Sequence, residues 1–360
     1  MKNILHNKNF NTLKGILILC LFSFIVLTPA FAGGNKEEKD EVSSTITESS
    51  PRTILIYISG VLDGSPTYQA MADGAEEFVA SHPSITLKIY EAGFNQAEWE
   101  PQLTSLVASG KYDIVLTTNP SMPEICDNVS KKFPKQKFIV TDGSLAGNPN
   151  ITTFEYDQYQ QAKMLGYLAG LITTSKMTGA NSEKKIGFLV SQDYPLLTNS
   201  ILPGYLAGAQ MVDSAITMDK RTVGNWYDAS KAAELTTAMI ESGVDVMNLD
   251  IGSAAPGAIK SSVTKGTYIT YSNIDNYAAA PGTIIGCGIV KQKALTKEIL
   301  QEVISSTVQW GTATKLGVKE GYIDFVDDST YYGEGLTDSV KTQFDAFLSD
   351  VRSGKIDLTQ

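Results

Sequence analysis

A chain of 360 residues, 42% of them hydrophobic, is long enough for two domains that each bury a core. Its formal net charge of −10 argues against nucleic acid as the main partner, because a phosphate backbone calls for clustered Lys and Arg; the surplus of acid serves solubility. The composition is neither low-complexity nor that of a disordered chain.

The first 32 residues stand apart. Lys2, Lys8 and Lys14 form a positive segment without acid, Gly15 to Leu27 is almost wholly apolar, and Ala30-Phe31-Ala32 fits a cleavage site. This is the pattern of a secretory signal peptide over 1–32, and the apolar run is short for a membrane span. Lipidation at Cys20 is the rival, but Leu19 is bulky for such a site and Cys20 lies inside the apolar run. Residues 33–52 read as a polar, flexible leader. Beyond the cleavage site Cys126 and Cys287 remain, in separate predicted elements, so no disulfide is expected.

From Thr53 short β-branched runs alternate with amphipathic segments. Strands are predicted at 53–59, 85–92, 112–118 and 137–142, with helices at 68–81, 96–109 and 123–132 between them. A long helix over 156–175 opens a second series. Its strands are predicted at 185–191, 219–225, 244–251, 268–272, 283–290 and 322–326. Its helices are predicted at 199–213, 229–242, 255–265, 292–309 and 337–353. Short apolar strands covered by helices give an α/β chain with two doubly wound parallel-sheet halves.

In such sheets ligands bind beyond the carboxyl ends of the strands. The residues found there are Asp63, Ser65 and Tyr68 after the first strand, Asn119 and Met122 after the third, and Asp142 after the fourth. The second half supplies Tyr194, Trp226, Asp250, Asn273, Asp275 and Lys291. Aromatic rings with carboxylates and amides from both halves suit a flat heterocycle with a hydroxylated tail. Each residue also has an ordinary structural use. Trp226 and Tyr68 fit core packing, Asp63, Asp142 and Asp250 fit helix caps, and Lys291 fits a solvated helix start. Trp99, inside a helix, fits the core.

Catalysis finds little support. The exported part has one histidine, His82, in a surface-like turn before Pro83, so a triad built on it is not expected. No Cys/His cluster offers metal ligands and no phosphate-loop motif occurs. The reading is a binding protein, not an enzyme, with no cofactor.

Four segments together resemble the basic membrane protein family of ABC-transporter solute-binding proteins. They are GKYDIVLTTNPSMPEICDNVSKKFPKQKFIVTDG (110–143), YQQAKMLGYLAGLIT (159–173), KKIGFLVSQDYP (184–195) and VGNWYDASKAAELTTAMIESGVDV (223–246). The similarity runs from about Thr53 to Leu358. It implies a type I periplasmic-binding-protein fold: two Rossmann-like lobes closing over a ligand, with the chain crossing near Thr153, Gly286 and Gly311. The lobes would then be 53–153 with 286–311, and 154–285 with 312–360.

The resemblance also implies partners and roles. The receptor would sit in the periplasm and deliver its ligand to a permease and ATPase, meeting the membrane only by docking on that permease. In nucleoside-binding relatives two aromatic rings hold the base, a carboxylate reads its edge, and Asp and Lys hold the ribose. By motif position these roles fall to Trp226, Asp142, Asp275 and Lys291. The first loop departs from the family's D-K-S-F-N pattern, reading Asp63-Gly64-Ser65-Pro66-Thr67-Tyr68, so Tyr68 would replace the usual Phe. That loop, the Trp and the Asn-Pro-Ser-Met turn are more similar to the spirochaetal riboflavin-binding branch. Riboflavin is therefore the expected transported ligand. A purine nucleoside, or ligand sensing without transport, is the alternative.

Overall fold

The computed structural model describes residues 52–359. The expected signal peptide and all of the leader except Arg52 lie outside the described residues; Arg52 itself opens the first strand.

The first series runs β1 (Arg52–Ile58), α1 (Pro66–Ala80), β2 (Ile85–Glu91), α2 (Gln96–Ala108), β3 (Ile114–Thr118), α3 (Met122–Lys132), β4 (Lys137–Thr141) and β5 (Ile151–Tyr156). The second runs α4 (Gln158–Thr173), β6 (Lys185–Val190), α5 (Leu202–Gln210), β7 (Thr217–Thr222), α6 (Ala229–Glu241), β8 (Val244–Asp250), α7 (Ala255–Lys265), β9 (Tyr268–Tyr271) and β10 (Ile284–Val290). Then follow α8 (Gln292–Ser305), β11 (Ala313–Leu316), β12 (Ile323–Phe325) and α9 (Asp338–Arg352).

The strands form two six-stranded sheets, ordered β11-β5-β4-β3-β1-β2 and β12-β10-β9-β8-β6-β7. Strand pairs are parallel except β10 with β12. Each sheet contains the same doubly wound pattern, reversing direction between β1 and β3 in the first lobe and between β6 and β8 in the second. A crevice opens beyond the carboxyl ends of the strands at each reversal.

Continuous runs of Ile, Leu and Val bury the central strands on both faces: Ile54, Leu55 and Ile56 in β1 and Phe188, Leu189 and Val190 in β6 are all fully buried. Trp99 is in the core as expected, and its indole donates to Gly93 O at 2.7 Å. Cys126 and Cys287 are both free and buried.

Two strands lie where none is predicted. β5, reading ITTFEY, carries β-branched and aromatic strand formers directly ahead of α4, whereas β11 is an edge strand whose Ala313, Thr314 and Lys315 are exposed, so no apolar run marks it. These strands shift the crossings. β5 keeps the chain in the first sheet to Tyr156, so the first crossing falls at Asp157, not near Thr153. All of β10 belongs to the second sheet, which moves the second crossing from near Gly286 to Lys291. β11 returns to the first sheet, so the third lies at 317–322 and not near Gly311. The first lobe therefore takes α8, which packs on α1, and the second takes α9, which packs on α4.

The first turn of α4 ties the crossings together. Asp157 is ion-paired with Lys315 at 2.9 Å, and Gln160 accepts from Val318 N at 2.9 Å. Tyr156 donates to Gln292 Oε1 at 3.0 Å, linking the first crossing to the second.

Candidate functional site

The carboxyl ends of the two sheets face one cleft. Across it Ser253 Oγ of the second lobe reaches Gly64 O of the first at 3.5 Å.

At the first reversal a hydrogen-bonded group surrounds Tyr68. Its hydroxyl donates to Ser59 O at 3.1 Å and accepts from Asn119 Nδ2 at 3.0 Å, while Asn119 Oδ1 accepts from Ser121 N at 2.9 Å. Both polar atoms of Asn119 are thus engaged, and its work here is to orient the Tyr68 ring. Burial raises the Tyr68 pKa above the usual phenol value, so the ring is neutral at physiological pH. The Tyr68 ring also packs against Gly60, where an added Cβ would lie 2.6 Å from Tyr68 Cε2 and 3.0 Å from Phe94 Cε1.

Phe94 is not among the residues the sequence singles out. It is 53% exposed, just beyond β2, on a loop that Trp99 holds through Gly93 O. Tyr68 and Phe94 together give the first lobe an aromatic wall. The signal for Phe94 is the same strand-end rule, applied to the segment after the second strand.

Asp142 is half-buried at the end of β4, with φ 57°. Its Oδ1 accepts from Gln158 Nε2 at 2.7 Å, which rules out capping as its main use. Loss of water pushes its pKa up to about 7; Asp250 and Glu155 add to the rise and Gln158 opposes it. Asn273, beyond β9, also has a left-handed backbone, with φ 75°. Asp and Asn tolerate this region, and such conformations gather at functional sites.

Asp250 does not cap α7: its Oδ2 accepts from the Tyr194 hydroxyl at 2.8 Å. Burial raises the pKa of this carboxyl too, with the Tyr194 bond opposing. Trp226 belongs to none of the core clusters. It is half-buried on the rim of the second lobe, with its ring over Gly252, whose Cβ would lie 3.3 Å from Trp226 Cε3. Asn225 Oδ1 fixes that loop by accepting from Tyr227 N and Asp228 N at 3.0 and 2.7 Å.

Asn273, Asp275 and Lys291 line one groove of about 520 Å³ with Pro66 and Thr67 of the first lobe. Asp275 is exposed and accepts from Tyr277 N at 3.1 Å. The Lys291 ammonium is turned to Asp324 at 3.3 Å, at the second crossing. Asp63 is exposed, and Ser65 occupies the N-cap position of α1 without a side-chain cap bond. Met122 is a correction: it is fully buried in the cluster that includes Cys126 and Val129, because it opens α3 on the inner face.

Three buried side-chain atoms near strand ends have no protein partner: Thr118 Oγ1, Ser191 Oγ and Asn273 Oδ1, after or at the ends of β3, β6 and β9. A buried polar atom left unpaired costs about 1–3 kcal/mol, so these positions call for a bound molecule or water. Thr118 and Ser191 are further residues the sequence does not single out.

Comparisons with known proteins bear on the family and the fold. A family described as Bmp, ABC transporter substrate-binding protein PnrA-like, matches residues 52–348. An ABC transporter nucleoside-binding protein, BmpA, of Lactococcus lactis subsp. cremoris is 24% identical over 284 residues, 74% of each chain. A purine-binding protein of Brucella abortus is 26% identical over 201 residues, 56% of this chain and 54% of that protein. The match thus spans about half the length of the Brucella relative. An ABC-transporter solute-binding protein from Aeropyrum pernix K1 superposes with a TM-score of 0.72 at 19% identity, over 85% of this chain and 93% of that one. The fold is of the type I periplasmic-binding-protein class.

Proposed function

This chain belongs to the Bmp family of ABC-transporter substrate-binding proteins, and from that premise we propose that it captures riboflavin, a flat heterocycle with a hydroxylated tail, and delivers it to an importer. The observation that supports the reading is the make-up of the strand ends: aromatic side chains on both lobes, Tyr68 and Phe94 on the first and Trp226 on the second, together with the carboxylates Asp142 and Asp250. Rings stack on the aromatic faces while Asp142 and Asp250 meet donors on the polar edge. The groove lined by Asn273, Asp275 and Lys291 supplies polar partners for a ribityl chain.

Capture works by differential affinity. A ligand touching both lobes stabilises the closed arrangement, and closure presents a new surface to the permease. The receptor is exported by residues 1–32 and works outside the cytoplasm with a permease and ATPase. It binds its ligand without turnover.

A purine nucleoside is the second reading, favoured by the names of the Lactococcus and Brucella relatives. Native mass spectrometry of protein purified without refolding separates the two, since tight receptors retain their ligand. A flavin mass, with quenching of added riboflavin fluorescence, is the expected result. A nucleoside mass with no effect on riboflavin fluorescence sinks the flavin reading.

A further inference from the structure

The end of β4 is held from two of the chain crossings at once. Thr141, its last residue, donates from Oγ1 to Gln292 Oε1 at 3.1 Å, and Asp142, the next residue, accepts from Gln158 Nε2 at 2.7 Å. Gln158 is the first residue of α4, directly after the first crossing, and Gln292 is the first of α8, directly after the second. Both glutamines are buried, so water does not compete for either bond.

The backbone leaves Asp142 little freedom. Its φ of 57° is left-handed, Asn119 N donates to Thr141 O at 3.2 Å, and Gly143 lies so close to α3 that an added Cβ would be 2.6 Å from Pro123 Cγ. The side-chain torsions are what remain, and the Gln158 bond fixes them. A carboxylate has more lone pairs than one donor uses. Oδ1 is taken by Gln158, and no bond to Oδ2 is formed among the described residues, so the half-buried Asp142 keeps an oriented acceptor. A ligand N–H can meet that oxygen where it already lies, with no rotamer left to fix on binding.

We propose that Gln158 is a positioning residue for ligand selection: it orients Asp142 so that Oδ2 accepts from a ring N–H, and it thereby favours heterocycles with an imide or lactam edge over those whose ring nitrogen is alkylated. This rests on the reading above, in which Asp142 meets donors on the polar edge of a flat heterocycle. Riboflavin carries an imide N–H and a hypoxanthine nucleoside a lactam N–H, so both readings of the ligand supply the donor. A site built to pair with an N–H rejects the analogue that lacks it, because its own polar group is then left unpaired. Gln158 acts only through Asp142, and the chain crossing places it. The preference therefore belongs to the junction of the lobes as well as to the cleft.

Calorimetric titrations with two matched pairs of probes test this: riboflavin against its N3-methyl derivative, and inosine against its N1-methyl derivative. They are run at about pH 8, where the Asp142 carboxyl, pushed up to about 7, is mostly ionised. In each pair that binds, the wild-type chain is expected to prefer the N–H form roughly 10- to 100-fold. Gln158→Met keeps the side chain's length and removes the donor. It is expected to cut that preference at least about fivefold, with the Kd of the methylated probe changing less than about twofold. Gln158→Asn, which draws the amide back by one methylene, is read in the same way and serves if the methionine variant does not fold. A wild-type chain indifferent to the methyl group, an unchanged preference in the variants, or an equal loss of affinity for both members of a pair overturns the proposal, since a merely structural glutamine affects the two alike. If neither pair binds, the ligand reading has failed, and carboxyl NMR of the ligand-free chain, with carbon-labelled aspartate, tests Gln158 by itself. An Asp142 titration midpoint that moves up in the variant supports the positioning bond, because Gln158 holds it down; a midpoint that stays put overturns it.

Discussion

Trp226 and Phe94 belong to none of the core clusters, which makes both candidates for contact with a ligand. A half-buried indole over Gly252 and a phenyl ring 53% exposed keep aromatic surface in contact with water, which a ligand ring would cover. Stacking of this kind contributes about 1–2 kcal/mol per ring, so Trp226→Ala should weaken riboflavin binding roughly 5- to 30-fold, and Trp226→Phe far less. Fluorescence quenching titrations check it, and equal affinities for wild type and Trp226→Ala would return the indole to a packing role. At this scale the sequence was uneven. The strand-end rule finds Tyr68, Asp142, Tyr194 and Asp250 because a side chain's place beyond a strand is local information. It does not say which atoms are already spent. Asn119 bonded to Tyr68, Lys291 paired with Asp324, and Met122 inside the core all depend on partners distant in sequence.

The α4–α5 pair shows the same boundary among elements. The long apolar pattern of α4 predicts its helix well, but nothing local says how closely α5 approaches. A Cβ on Gly166 would lie 1.9 Å from Tyr205 O, and one on Gly208 would lie 2.0 Å from Lys163 O. Glycines from both helices thus let the two backbones touch. Gly166→Ala forces them apart against a close-packed core and should cost about 1–3 kcal/mol. Urea unfolding should show a lower midpoint with the slope unchanged; an unaltered midpoint would mean the helices separate freely. β11 fails to announce itself for a related reason. β11 pairs with β5 across about 160 residues of chain, and its exposed edge residues need no apolar pattern.

Lobe closure is a property of the whole chain, and its two ends are built differently. At the crossings, Asp157, Gln160 and Gln292 bind the three segments to one another, so any rotation of the lobes would turn about a hydrogen-bonded knot. At the mouth the lobes meet at Gly64 and Ser253. Gly64 has φ +69°, and an added Cβ would lie 2.8 Å from Ser253 Oγ. Alanine there meets both a left-handed backbone and the opposite lobe, whereas in an open cleft only the first objection applies. The left-handed strain is common to both forms, so Gly64→Ala should favour the open form only by the cost of turning the Ser253 hydroxyl aside, under about 1 kcal/mol. That penalty exists only when the lobes are shut, so it should appear mainly as a faster off-rate, roughly two- to fivefold, with the on-rate little changed. Stopped-flow fluorescence with riboflavin separates the two rates. Ser253→Gly in the same background removes the obstructing hydroxyl and should restore a large part of the residence time. If the double variant dissociates as fast as Gly64→Ala alone, the backbone strain rather than the meeting of the lobes is what the substitution disturbs.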